Sequence, residues 1–466
     1  MNRSRPSFFR SIRRSIPAGV LALGQYACQS RAPRPDPARD IAAAVGLAAP
    51  LEVRVEGLDS AEESPEQLAL AEALTRALCS SPEVQAALAR VQVAVAEADQ
   101  ARLLANPLVS LVVRFPEGGG RTDVELGIAE DLLQLFRRPR RIGAADKRLQ
   151  RAVADAVTAS LDVVADLRER YANVQMLDEL TPLLRERQAT VARLTELARA
   201  RLEAGEGSRL DVLALEAEAV DLEIEIGQRE AERREERLAL ARRIGQPSLS
   251  AEWQLEDWSS PAGELPEEDA WIRSALERRP EIAALRWELE ALGDERALAG
   301  TAWLDRASVG VDAESDDGDW SVGPSATIPL PLFDGGSARR DRARAEVLAA
   351  RAELLGVQRT VVEEVRRAHA SLLAARAILD RVRTRLIPLQ EERRAQVEAV
   401  YLAGEADVTA VLLAEQDLQH SQAKLVDLER ETARALVRLE RSVGGSGAMT
   451  AVGAESVPAE QERGEP

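Results

Sequence analysis

The 466-residue sequence is poor in the side chains that most chemistry requires. It has two histidines and two cysteines, Cys28 and Cys79, with no paired-cysteine spacing, so no metal site and no cofactor is expected. No nucleophile motif and no glycine-rich phosphate loop occurs, and the many Glu and Asp residues read as solvated helix faces rather than acid–base pairs. An enzyme is therefore the poorest fit. Positive charge is in deficit: 61 Lys and Arg stand against 79 Asp and Glu, a net charge of −18, which argues against a nucleic-acid partner. No apolar run approaches the ~18 residues of a membrane-crossing helix. Aromatics make up only 3% of the chain, too few for a thick globular core.

What is abundant is Ala, Leu, Glu and Arg, with 30% of residues charged, a composition of long helices packed side by side. The N-terminal stretch "MNRSRPSFFRSIRRSIPAGVLALGQYACQS" has an Arg-rich start, an apolar run over 16–23 and small Ala27 before Cys28, the layout of an export signal. Cleavage before Cys28 would leave it as a lipidated first residue, although Gln25 and Tyr26 depart from the usual lipoprotein pattern. The Pro-rich "RAPRPDPARD" that follows reads as a tether. Cys79 ends an amphipathic run and reads as a small buried residue.

The chain repeats itself. "SPEVQAAL" at 81–88 matches "RPEIAAL" at 279–285, "AEDLLQLF" ending at Phe136 matches "ATIPLPLF" ending at Phe333, and "EAGEGSRLDVLALE" matches "LAGEADVTAVLLAE". The offset is about 200 residues throughout, as two copies of one supersecondary unit would give. The expected division is a signal at 1–27, a tether at 28–65, repeats at 66–245 and 279–443, a joining stretch at 246–278, and a disordered tail at 444–466.

Each repeat opens with a proline-started helix, about 82–105 and 280–304. Two strands with period-two alternation follow, at about 107–115 and 123–134, then 307–314 and 320–332. Val109, Leu111, Val113 and Phe115 share one face, as do Val124, Leu126 and Ile128, Val309 and Val311, and Val322, Pro324, Ala326, Ile328 and Leu330. The opposite faces are polar or small, the pattern of membrane-barrel strands. Four strands cannot close a barrel, and open edges in hydrocarbon cost several kcal/mol per unpaired group, so such a chain must oligomerise. In "IPLPLFDGG", Pro329 and Pro331 should end the ladder, and Phe333, Asp334, Gly335 and Gly336 should turn the chain into a helix.

Long periodic segments at 144–203 and 337–402 follow, roughly 90 to 100 Å each if helical, with kinks or local breaks expected at Pro182 and Pro388. Gly205 and Gly404 suit the residue after a helix end, and Ser208 and Asp407 suit the cap of a returning helix, at 209–243 and 408–443. Ser208 with Asp211 has capping-box spacing.

From about residue 66 to 443 the sequence resembles the TolC-like outer-membrane efflux proteins. The resemblance rests on the duplication, on "IPLPLFDGG" entering an Arg/Ala helix, and on "YLAGEADVTAVLLAEQDL". It implies a mainly α fold with a small β part: an antiparallel coiled-coil tunnel, plus four strands per chain in a trimeric 12-strand barrel. It also implies an outer-membrane exit duct of a tripartite efflux or type I secretion-like system. A periplasmic adaptor and an inner-membrane pump would then be partners, with outer-membrane lipid around the barrel. Gly205, Ser208, Gly404 and Asp407 would form adaptor-docking tips. Asp211 matches an acidic position near the tunnel entrance, whereas the second repeat has Ala410 there, so Val411, Leu412 and Leu413 suggest an apolar constriction. The first repeat reads "FRRPRRIG" and lacks the Asp-Gly-Gly, so its strand-to-helix passage should differ. The rival reading is a periplasmic coiled-coil scaffold without a pore; it leaves the four alternating strands unexplained.

Overall fold

The computed structural model describes residues 34–53, 66–115, 122–131, 133–205, 207–248, 250–256, 265–304, 307–316, 319–403, 405–406 and 408–447. Cys28, the signal segment, Gly404 and Asp407 lie outside them. Two compact units divide the chain. One comprises Arg90–Val153 and Ala284–Leu354; the other comprises Asp36–Ala89, Ala154–Ala283 and the chain from Leu355 onward.

The first unit carries an antiparallel sheet of β2 (Leu108–Arg114), β3 (Asp123–Glu130), β5 (Ser308–Asp316) and β6 (Asp319–Thr327), in the order β2-β3-β5-β6. Two proline-started helices of equal length lead into it, α3 (Pro82–Arg102) and α7 (Pro280–Gly300). Helix α4 (Leu133–Glu203) leaves β3, and α8 (Ser337–Arg381) follows β6. The strands are shorter than their apolar patterns. β3 stops at Glu130 rather than near 134, because Asp131 caps α4: its Oδ1 accepts from the Leu133 amide at 3.0 Å. β6 stops at Thr327 rather than 332, since the two following prolines cannot donate to a ladder.

The second unit is helical. Its largest apolar cluster packs α4 side chains Val157, Leu161, Leu167 and Val174 against Leu74, Leu78, Leu240 and Trp253. The segment read as a tether contributes α1 (Pro37–Val45), with Asp36 as cap, Pro37 in the first turn, and Ile41 and Val45 buried in that cluster. The joining stretch is likewise structured: β1 (Gln67–Leu68) pairs in parallel with β4 (Gln254–Leu255), and α6 (Glu268–Arg278) buries Trp271. Tyr171 fixes the β1–β4 pair, its hydroxyl donating to the Leu68 carbonyl at 2.8 Å and accepting from the Glu256 amide at 3.1 Å. Burial pushes the Tyr171 hydroxyl up to about 12. The start of the tail also packs, the Ser446 hydroxyl donating to the Val45 carbonyl. Cys79 is half-buried, its Sγ 3.7 Å from the Pro50 carbonyl oxygen.

The two prolines inside the long helices behave differently. Helix α4 runs unbroken through Pro182 for 71 residues. Before Pro388 the chain forms a π-helical turn, Val382–Leu386, which delivers the proline to the first turn of α9 (Ile387–Leu402). The extra residue relieves the clash that a proline ring makes with the preceding turn.

Candidate functional site

The sheet's register sorts its side chains. Val109, Ile128, Val311 and Pro324 form one cross-strand row; Leu111, Leu126, Ala313 and Val322 form the next. This face has no core over it: Leu111 is 65% exposed and Val322 71%. A bare aliphatic face is unfavourable in water and suits hydrocarbon. The opposite face, interrupted by Leu108 and Val112, carries the row Ser110, Gly127, Asp312 and Gly323. Arg114 sits there against Glu125, at 2.8 Å, and Glu314, at 3.8 Å.

A Cβ added to Gly310 on the polar face would meet backbone, and one added to Gly127 would meet the movable ends of two side chains. A Cβ on Gly310 would lie 2.4 Å from the Ile128 carbonyl oxygen, and one on Gly127 would lie 2.5 Å from both Asp312 Oδ1 and Ser110 Oγ. Exposed aromatics stand at both ends of the strands, Phe115 and Trp320 by the hairpins and Phe136, Trp303 and Phe333 by the helices. Such girdles mark the two interfaces of a barrel band.

The two strand-to-helix passages are built differently. In the first, the arginines of "FRRPRRIG" hold the C-terminal ends of α3 and α7. Arg138 Nε donates to the Arg102 carbonyl at 3.0 Å, and Arg141 Nη2 to the Leu103 carbonyl at 2.7 Å. Arg137 donates to Thr301 Oγ1 at 2.9 Å and to the Thr301 carbonyl. Carbonyls at a helix C-terminus lack intrahelical donors, and cations there meet the negative end of the helix dipole. Arg140 and Lys147 donate to Asp294, at 2.8 and 2.9 Å. Burial alone would raise this carboxyl; those two donors hold it below the usual range. None of these roles was legible in the sequence, where the arginines are only a basic run.

The second passage uses "IPLPLFDGG". Asp334 Oδ1 accepts from the Gly336 amide at 2.8 Å, and Oδ2 pairs with Arg339 at 3.0 Å. Gly336 takes the left-handed turn, with φ of 73°, while Gly335 does not. Phe333 is fully exposed, and Pro329 and Pro331 lie beyond the ladder.

At the far hairpin of the first repeat, Gly205 is left-handed with φ of 78°. Helix α5 (Arg209–Arg243) starts on a complete capping box: Ser208 Oγ accepts from the Leu210 amide at 3.1 Å and Asp211 Oδ2 from the Ser208 amide at 3.3 Å. Gly205, Ser208 and Asp211 are thus one structural turn. Helix α10 (Val408–Val443) begins the corresponding return. Val411 and Leu412 are buried there with Val191, Val212, Leu215 and Tyr401. They pack in the core of the protomer, while Leu413 is exposed, at 51%. Tyr401 also stacks under the Arg201 guanidinium, 4.9 Å from its ring centroid, a contact with no sequence signal.

A sheet whose two edges are unpaired among the described residues, with one lipid-suited face and long helices following its strands, has the character of a channel-forming protein of the outer membrane. The family model for outer membrane efflux proteins matches residues 73–246 and 271–445, and the chain belongs to that family. It is 25% identical over 354 residues to the cobalt-zinc-cadmium resistance protein CzcC of Cupriavidus metallidurans, covering 74% of this chain and 82% of that one. It is 30% identical over 242 residues to the fusaric acid resistance protein FusA of Burkholderia cepacia, covering 46% and 42%. Among solved structures, the outer-membrane channel OprN superposes with a TM-score of 0.69 at 23% identity over 81% of this chain and 90% of that one, which shows the shared fold. The protein is an efflux channel of the outer membrane.

Proposed function

We propose that three copies of the chain close a 12-strand barrel and serve as the passive exit duct of a tripartite exporter. The observation that supports this most is the four-stranded sheet whose apolar face is bare and whose edge strands β2 and β6 have no further strand beside them among the described residues. The bare face suits hydrocarbon, but the unpaired edges are tolerable there only when joined to further strands. Substrate enters from a periplasmic adaptor and an inner-membrane pump, and the tips at Gly205, Ser208, Gly404 and Asp407 are where the adaptor docks. Asp211 and exposed Leu413 are the residues of the entrance. Cys28 is the lipidated first residue of the exported chain.

The polar face, turned to the lumen, carries Arg114 against Asp123, Glu125, Asp312, Glu314, Asp316 and Asp319. Rings of carboxylates favour cations. With the similarity to CzcC, this points to cationic cargo, including divalent metal ions. Two measurements test the reading. The mass of the detergent-extracted particle from isolated outer membranes should correspond to three chains; a monomer outside that fraction overturns the duct. In planar bilayers, a potassium chloride gradient should give a cation-selective reversal potential, and an anion-selective one would overturn the lumen assignment.

A further inference from the structure

The arginines that hold the helix ends leave a second feature to explain. At the junction of strands and helices lies an open cleft of about 620 Å³, lined by Arg137, Arg141 and Arg339 with one carboxylate, Asp131, and floored by Leu298 and Ala299. The partners of Arg141 are all neutral: the carbonyls of Ala101 and Leu103 and the side-chain oxygen of Gln134. Hydrogen bonds to carbonyls fix the guanidinium without cancelling its charge. Beside the cleft, Arg340 is likewise held by the Gly335 carbonyl at 2.8 Å.

Charge is concentrated here against the trend of the molecule. Residues 137–141 and 339–344 hold four arginines each in a chain of net charge −18. Arg140, Arg339, Arg342 and Arg344 pair with Asp294, Asp334, Glu346 and Asp341, so it is Arg141, with its neutral partners, whose charge the cleft offers to an anion. Exposed apolar side chains neighbour the cleft's arginines along the chain. Phe136, 81% exposed, immediately precedes Arg137, and Leu332 and Phe333, 77% and 101% exposed, precede Arg339. A cationic cleft whose arginines have bare aromatic and aliphatic neighbours along the chain matches an amphiphile with an anionic head and hydrocarbon tails.

We propose that the cleft lined by Arg137, Arg141 and Arg339 holds the headgroup phosphate of an anionic phospholipid from the periplasm-facing leaflet. Its acyl chains lie along Phe136, Leu332 and Phe333. Guanidinium geometry suits a phosphate, which accepts two parallel N–H bonds from one arginine. The proposal rests on the membrane placement given above, since the cleft lies at the end of the strands where the helices begin.

The test uses the full chain in nanodiscs of phosphatidylethanolamine and phosphatidylglycerol at 3:1, followed by mild detergent release and native mass spectrometry of retained lipid. The retained phosphatidylglycerol-to-phosphatidylethanolamine ratio should exceed the bulk ratio at least fivefold. Arg141→Gln should lower that enrichment threefold or more, and Arg141→Lys, which keeps the charge but loses the paired N–H donors, should give an intermediate value. Because Arg141 also holds the end of α3, Arg339→Gln and Phe333→Ser provide variants outside that contact, and each should lower retention about twofold. Retention at the bulk ratio, or an unchanged enrichment in the Arg141→Gln, Arg339→Gln double variant, would overturn the proposal. So would displacement of the lipid by millimolar inorganic phosphate, which would mean a free-phosphate site. A trimer from the outer membrane with no lipid preference defeats this inference alone, whereas a chain absent from the membrane defeats the duct.

Discussion

At the scale of single residues, Tyr171 is the clearest case of one polar atom organising a distant contact. Its hydroxyl is buried between Leu68 and Glu256, so Tyr171→Phe removes a donor and an acceptor while the ring stays. A loss of about 1–2 kcal/mol is expected in denaturant titrations of the detergent-solubilised protein. Glu281 gives a pH-dependent counterpart. Burial alone would raise its carboxyl, but Arg441 and Arg279 together hold it below its ordinary 4.5. A depressed carboxyl contributes stability that is fully present above the unfolded value and is lost as pH falls through the folded one. The stability gap between wild type and Glu281→Gln should therefore be constant from pH 8 to 6 and shrink below pH 4.5; a gap that grows on acidification would reverse the assignment. At this scale the sequence was legible where chemistry is local. Ser208 and Asp211 could be paired from their spacing, whereas Arg141 and Asp294 take their roles from helices far along the chain. The packing of Val411 and Leu412 was not legible, because an apolar triplet at a helix start suits a constriction and a core equally.

Elements show the same division. The faces of the four strands were legible because alternation is a local property, and the observed register joins the predicted apolar residues across all four. The end of β3 was not, since Asp131 terminates pairing while the apolar pattern continues. The β1–β4 pair was invisible, two residues on each side being too few for any periodicity. Gly310 tests the sheet itself. Gly310→Ala would drive a Cβ against the Ile128 carbonyl and separate β3 from β5, so the variant should fail to form a membrane-inserted trimer on blue native gels. The prolines supply a paired test. Pro182→Ala restores a backbone donor within unbroken α4 and should stabilise by about 1–3 kcal/mol. Pro388→Ala should change stability by less than about 1 kcal/mol, because the π-turn already accommodates the ring. Equal effects in thermal melts would show that the bulge relieves nothing.

For the whole molecule, the unusual composition becomes coherent once the solvent of each part is considered. The chain has few aromatics, yet three of them stand exposed where strands give way to helices and two at the opposite strand ends. Its acidic excess extends to one face of the sheet, while arginines cluster at the junction. The central strand pairing also has a bearing on time. Val124 opposes Ser315, so β3 must wait for roughly 190 further residues before its inner edge finds β5. Until the second half of the chain has been made and moved across the inner membrane, β3 has only β2 beside it. A chain cut short before β5 therefore holds a hairpin with an aliphatic face and an unmatched edge, the form most prone to wrong pairing. The order of synthesis therefore leaves this sheet incomplete until most of the chain exists.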